Sequence, residues 1–274
     1  MADNYSIVNG QLHKQKEASI LISDLSVQRG YGIFDFFVVV NKQPIFLEDH
    51  LDRFYNSAAI MHLDGIVQRE ELKELIYKLI EQNSSMPDAG IRITLTGGYS
   101  EDGYALAAPN LLITQTPFVY NMDSFTKGIK LVTYNYQRQL PQVKTIDYLQ
   151  AIYLQPFIQE HGADDLLYHN QGQICECPRA NFFLVTQDNE VLTASSNILW
   201  GINRKKILSF PEFNARETSI TLADLDNAKE AFITSTTKFA LPVLSINGKQ
   251  IGDSKPGEIT TAIFKKLYDL RNPC

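Results

Sequence analysis

The residues of this chain best suited to chemistry are a lysine, a carboxylate and an arginine, accompanied by two small-residue loops. Lys144 opens Lys144-Thr145-Ile146-Asp147-Tyr148-Leu149, Arg53 lies upstream in His50-Leu51-Asp52-Arg53-Phe54, and Glu176 lies downstream, ahead of Asn181-Phe182-Phe183. Gly201-Ile202-Asn203-Arg204 and Ser235-Thr236-Thr237 follow. A lysine amine forms an imine only when neutral, which requires a desolvated or cationic setting. A carboxylate in the mostly uncharged Gly172-Gln173-Ile174-Cys175-Glu176 is costly without a partner. A protonated ring nitrogen would be such a partner. A helix starting after Gly201 offers backbone N–H groups to a dianion, and Thr236 adds a hydroxyl and an amide from a second turn. Together the groups suit a phosphorylated pyridine aldehyde. Taken singly, each has a plainer reading: a solvated amine, a strand-end glutamate, a surface arginine beside a core stripe, a threonine capping a strand end.

Apolar patterning indicates what must position these groups. A short strand at 5–8 and a turn at Asn9-Gly10 lead into a polar stretch, and residues 34–40 form an apolar, β-branched and aromatic run that reads as a buried strand. Leu47, Leu51, Phe54, Ala58 and Met61 recur on one helix face, with Arg53 one step from that stripe. Leu72, Leu75, Ile76, Leu79 and Ile80 repeat the pattern. Residues 91–96 alternate as a strand with one polar side, and 111–114 form another. Periodicity lapses after Pro117, which predicts domains over 1–117 and 127–274 joined by a linker at 118–126. In the second half, strands are expected at 129–133, 166–169, 181–185 and 191–193. Helices are expected at 147–160, 202–210, 222–229 and 258–270, with Pro156 kinking the first or ending its first half. Asn247-Gly248 marks a hairpin. Strict β-α-β alternation is lacking, which disfavours a doubly wound sheet.

Bulk properties narrow the function classes. The chain has 274 residues, 44% hydrophobic and 20% charged, as in an ordinary globular protein. A net charge of −6 and no Lys/Arg run argue against a nucleic-acid surface. No apolar run approaches the ~20 residues of a membrane span, and no signal peptide is evident, so cytoplasm is the expected location. Cys175, Cys177 and Cys274 make no disulfide framework. The C-x-C pair would share one strand face and is read as packing, and five scattered histidines give no metal-ligand set, so no metal is expected.

On these motifs, in this order, the chain resembles the class IV aminotransferases, the fold-type IV pyridoxal 5′-phosphate (PLP) enzymes, from roughly residue 6 to residue 251. The resemblance implies an α/β (α+β) two-domain fold like that of D-amino acid aminotransferases, with a barrel-like sheet in the second domain and PLP between the domains. It also implies a homodimer. By the same resemblance Lys144 is the Schiff-base lysine, Tyr148 touches the cofactor's phenolic oxygen, and Glu176 faces the pyridine nitrogen. Arg53, Ile202, Asn203 and Thr236 hold the phosphate, and Thr237 lies toward the substrate. Asn203 stands where the family has Thr or Ser, which leaves that contact to the backbone.

Departures from the family bear on substrate. Arg179, in Glu176-Cys177-Pro178-Arg179-Ala180-Asn181, replaces a small Ser or Thr. Arg29 lies on the first loop, which in the family reaches the active site and often the neighbouring subunit. The two are expected to clamp a substrate carboxylate, with Phe36 and Tyr99 as pocket walls. Arg92 is the alternative acid-binding arginine, since D-amino acid transaminases carry a basic pair in that region. The implied reaction is a two-stage transamination to a 2-oxo acid such as 2-oxoglutarate, with Lys144 as proton carrier. Chain length favours D-amino acid transamination and aminodeoxychorismate lyase over branched-chain L-amino acid transamination, the lyases follow their lysine with Asn-Arg rather than Asp147-Tyr148, and an open Arg29/Arg179 pair would accept an acidic or generic D-amino acid; the ranking is D-amino acid first, branched-chain second and lyase third. A non-catalytic PLP carrier is a further alternative, disfavoured because a carrier does not need Glu176.

Overall fold

The computed structural model describes residues 4–65 and 67–272, so Cys274 lies outside the described residues. The chain divides into two compact units. The first runs to Val119 and takes in Val143–Asp147; the second holds Tyr120–Gln142 and everything from Tyr148 on.

In the first unit β1 (Tyr5–Val8) and β2 (Gln11–Lys14) form a hairpin across Asn9 and Gly10, whose φ values of 48° and 79° suit an Asn-Gly turn. The polar stretch after the turn therefore begins as a strand, held by pairing rather than by apolar burial. Next come α1 (Leu25–Arg29), β3 (Gly32–Val40), β4 (Gln43–Pro44), α2 (Leu47–Ile60), α3 (Arg69–Gln82), β5 (Ala89–Thr96) and β6 (Leu111–Pro117). The strands form an antiparallel sheet in the order β2-β1-β6-β5-β3-β4. Leu47, Leu51, Phe54 and Ala58 of α2, with Leu72, Ile76, Leu79 and Ile80 of α3, share a core with Ile33, Phe37, Val39, Ile91, Ile93 and Leu95. Alternation along the strands therefore turns Phe34, Phe36 and Arg92 to the opposite face.

The second unit contains α4 (Asp123–Lys127), β7 (Ile129–Asn135), α5 (Leu149–Tyr153), α6 (Gln155–Glu160), β8 (Asp165–Asn170), β9 (Gln173–Ile174) and β10 (Glu176–Cys177). It continues with β11 (Ala180–Val185), β12 (Val191–Ala194), α7 (Ile202–Leu208), β13 (Ala215–Thr218), β14 (Glu230–Ser235), β15 (Phe239–Ile246), β16 (Lys249–Gln250) and α8 (Glu258–Arg271). The sheet runs β13-β12-β11-β14-β15-β7-β8-β9, with β10 on β11 and β16 on β15. Cys175 N, just before β10, donates to Tyr168 O of β8 at 2.9 Å, so the sheet curls back on itself.

Pro156 lies in the first turn of α6, and the expected 147–160 helix is interrupted at Leu154. Residues 222–229 are not a helix but a short 3₁₀ turn, Asp224–Asn227: the Asp224 carboxylate binds the N–H and hydroxyl of Thr221, and only Leu225 is buried in the turn. The strands β14 and β15 escaped sequence reading because both are buried almost continuously, so no alternation shows. Asn247 and Gly248, with φ of 52° and 75°, turn β15 into β16 as expected. Cys175 and Cys177 are both buried, but in different clusters rather than on one shared face, because pairing breaks between β9 and β10. Burial pushes the Cys175 thiol up to about 11 and Cys177 well above its ordinary value, which disfavours the thiolate form of both.

Candidate active site

In the first unit the lysine segment is held against β3. Lys144 O accepts the N–H of Phe34 at 2.9 Å, Thr145 bridges Ile33, and Ile146 N donates to Gly32 O at 3.1 Å. Gly32 allows this approach: a Cβ there would stand 2.8 Å from Leu95 O and 3.2 Å from the Ile146 side chain. This attachment places Val143–Asp147 with the first unit. Lys144 Nζ lies 4.6 Å from the centroid of the Phe34 ring, and the Arg92 guanidinium carbon lies 3.9 Å from the same centroid. An amine and a guanidinium thus meet on one aromatic ring, with Phe36 paired directly across from Arg92.

Arg53 is aimed by a residue that sequence reading missed. Asp35, fully buried at alternate phase to Phe34 and Phe36, accepts Arg53 Nε at 2.8 Å, Arg53 Nη2 at 2.9 Å and the His50 ring at 2.7 Å. Burial alone would raise the Asp35 pKa, but Arg53 and His50 hold it well below the usual carboxylate range. Burial pushes the His50 imidazole down, against the pull of Asp35. The signal was present: an isolated carboxylate inside the apolar 34–40 run. Arg29 ends α1, is exposed, and donates from Nη1 to Gln28 O. Asp24 fixes α1 by accepting Ser26 N, Thr96 Oγ1 and Asn110 Nδ2. Tyr99 is half-buried and bridges Asp24.

In the second unit Glu176 is buried and its carboxylate is fixed at both oxygens. Oε1 receives Arg138 Nε at 2.8 Å and Oε2 receives Leu199 N at 2.9 Å, while Arg138 Nη2 also donates to Pro141 O at 2.5 Å. The buried strand position is thus that of a paired carboxylate, not of a solvent-facing glutamate. Arg138 gave no sequence signal, because its loop has no periodicity.

Glu176 pairs with Asn181 across β10 and β11, and Asn181 Nδ2 donates to Leu199 O at 2.7 Å. A Cβ at Gly201 would stand 2.2 Å from Asn181 Oδ1, so the chain can enter α7 here only as glycine. Ile202 and Asn203 are both buried, and Asn203 Nδ2 donates to Ser235 O at 2.8 Å, joining the start of α7 to the Ser235–Thr237 turn. This engages the Asn203 amide with the chain itself, at the position where the resemblance leaves a phosphate contact to the backbone. Thr234, opposite Asn181 and on the same sheet face, keeps a buried hydroxyl that makes no hydrogen bond among the described residues. Thr236 and Thr237 are half-buried on the adjoining turn. Arg204 is structural, held by Ala194 O and Glu217. Tyr148 caps α5, and Arg179 is an exposed turn residue between β10 and β11.

These features fit a phosphorylated pyridine cofactor. The second unit offers a fixed, arginine-paired carboxylate, a glycine-gated helix start and hydroxyl-bearing turns; the first offers a lysine amine beside a guanidinium. A mixed α/β chain so equipped is of the aminotransferase kind. Residues 32–246 match the family model of amino-transferase class IV, and the chain belongs to that family of PLP-dependent transaminases. It is 29% identical over 272 residues to a D-alanine aminotransferase of Bacillus licheniformis, covering 96% of this chain and 95% of that one. It is 27% identical over 279 residues to a putative branched-chain-amino-acid aminotransferase of Methanocaldococcus jannaschii, again over 96% and 95%. The fold superposes on a branched-chain amino acid aminotransferase of Escherichia coli at a TM-score of 0.89, 22% identity, covering 98% and 95% of the two chains.

Proposed function

We propose that the protein transfers the amino group of an amino acid, by preference a D-amino acid, to a 2-oxo acid such as 2-oxoglutarate, with Lys144 as the catalytic amine. The observation that carries this reading is the convergence of Lys144 and Arg92 on Phe34, which puts a carboxylate-binding group beside the amine. When bound, PLP supplies an aldehyde that condenses with amines and a ring that draws electrons from the substrate α-carbon.

The remaining steps belong to the chain. With PLP bound, Lys144 Nζ would take the proton from the substrate Cα and carry it through the transamination as the general acid–base. Glu176, kept in place by Arg138 and Leu199 N, holds the proton on the ring nitrogen; Tyr148 donates to the phenolic oxygen. Arg53, aimed by Asp35, and the backbone of Ile202 and Asn203 with Thr236 bind the phosphate. Arg92, Arg29 and Arg179 bind substrate carboxylate, while Phe36, Tyr99 and Thr237 line the substrate side.

The full-length likeness to D-alanine aminotransferases supports the D-preference; the branched-chain L-amino acid reading rests on the Methanocaldococcus relative. Exposed Leu149, Ile152 and Tyr153 on α5 support a homodimer. The PLP-loaded enzyme mixed with D-alanine or with L-leucine separates the readings: conversion to the pyridoxamine form by D-alanine supports this proposal. Conversion by L-leucine alone favours the second reading, and conversion by neither, across a panel of D- and L-amino acids, would end both.

A further inference from the structure

Arg179 is the second of the two residues, Pro178 and Arg179, that turn β10 into β11, with Cys177 and Ala180 paired across the turn. Its side chain is 67% exposed, yet Nη2 stands 3.9 Å from Oδ2 of Asp165 at the start of β8, whose side chain is only 7% exposed. Asp165 Oδ1 accepts the N–H of Leu166 at 2.9 Å. Oδ2 is buried and makes no hydrogen bond among the described residues. A buried carboxylate oxygen lacking a donor is unfavourable, and the nearby guanidinium can supply one after a small rotation.

Lys238, half-buried in the turn between β14 and β15, completes the group. Burial lowers its pKa, Asp165 raises it and Arg179 lowers it, so the three charges lie within each other's fields. Two cations and one carboxylate leave the cluster one positive charge in excess, which an anionic substrate neutralises. A long, exposed arginine would otherwise sample many rotamers and lose that freedom on binding.

We propose that Asp165 is a positioning residue for Arg179: its buried Oδ2 anchors the guanidinium, Lys238 balances the charge, and the anchored arginine sets the affinity for the substrate's carboxylate. This rests on the transaminase reading and on Arg179 as a carboxylate-binding residue.

The test uses PLP-loaded enzyme and 2-oxoglutarate, an achiral acceptor. Asp165→Asn is expected to raise the KM for 2-oxoglutarate about tenfold, with kcat within about twofold, the effect of loosening one charge-assisted contact. In an Arg179→Gln background the same substitution is expected to add nothing, and Asp165→Glu should recover part of the loss. An unchanged KM, or an equal loss in the Arg179→Gln background, would overturn the proposal. Should Asp165→Asn fail to fold, Asp165→Glu serves instead: it displaces the anchoring oxygen and should raise the same KM by a smaller factor, with no added effect in the Arg179→Gln background, and an unmoved KM overturns the proposal. Wild-type enzyme inactive on every amino acid refutes the transaminase reading; active wild type with unmoved KM values refutes only this inference.

Discussion

Lys144 and Arg92 reach Phe34 from different parts of the chain, one from a segment docked on β3 and the other from β5, next to β3 in the sheet. Lys144→Ala should lower kcat by roughly 10²–10⁴ in single-turnover assays while the chain stays folded. Glu176→Gln keeps the shape but removes the charge, and a loss of roughly 10²–10³ in kcat is expected. The Asp35 cluster makes a prediction about pH. The folded pKa of Asp35 is depressed, so its ion-pair contribution is present above the ordinary carboxylate value of about 3.9 and is lost as pH falls through the lower folded value. The His50 pKa is also lowered, so protonation of the unfolded chain begins to erode stability below about 6.5. Asp35→Asn removes the buried carboxylate charge that faces Arg53 and should destabilise the protein by about 3–5 kcal/mol at pH 7. Its melting temperature should converge on that of the wild type as pH falls below 4; a constant gap would contradict this account.

Secondary elements carry the site residues through a few close approaches. At Gly201 a Cβ would collide with Asn181 Oδ1, so Gly201→Ala must shift either the entry to α7 or the Asn181–Leu199 contact. A destabilisation of about 1–3 kcal/mol is expected, together with weaker PLP retention in equilibrium dialysis. Helices α2 and α3 were legible in the sequence because each buries one face at helical spacing. So was β5, which shows Arg92 to one side and Ile91 and Ile93 to the other. The motifs around Lys144, Glu176 and Gly201 could be read because each breaks its local pattern. Strands β14 and β15 were illegible since burial on both faces erases alternation. Arg138 was illegible for another reason: its partner is Glu176, and only the folded chain brings the two together. Residues 143–147 join the first unit through backbone hydrogen bonds to Gly32 and Phe34, which no side-chain pattern encodes.

The whole molecule leaves large apolar side chains in water, among them Ile22 at 81%, Tyr104 at 84% and Leu149 at 75% exposure. Light scattering is expected to give twice the 31.0 kDa chain mass, and Leu149→Glu with Tyr153→Glu should shift the population toward monomer. A wild-type monomer at micromolar concentration would remove the proposed homodimer without touching the amine chemistry. That chemistry has a direct chemical test. Borohydride reduction of the PLP-loaded enzyme, followed by peptide mass mapping, should leave the phosphopyridoxyl mass on Lys144 alone. Label on another lysine, such as the half-buried Lys238, or none at all in a reconstituted preparation, would contradict the assignment of Lys144 as the catalytic amine.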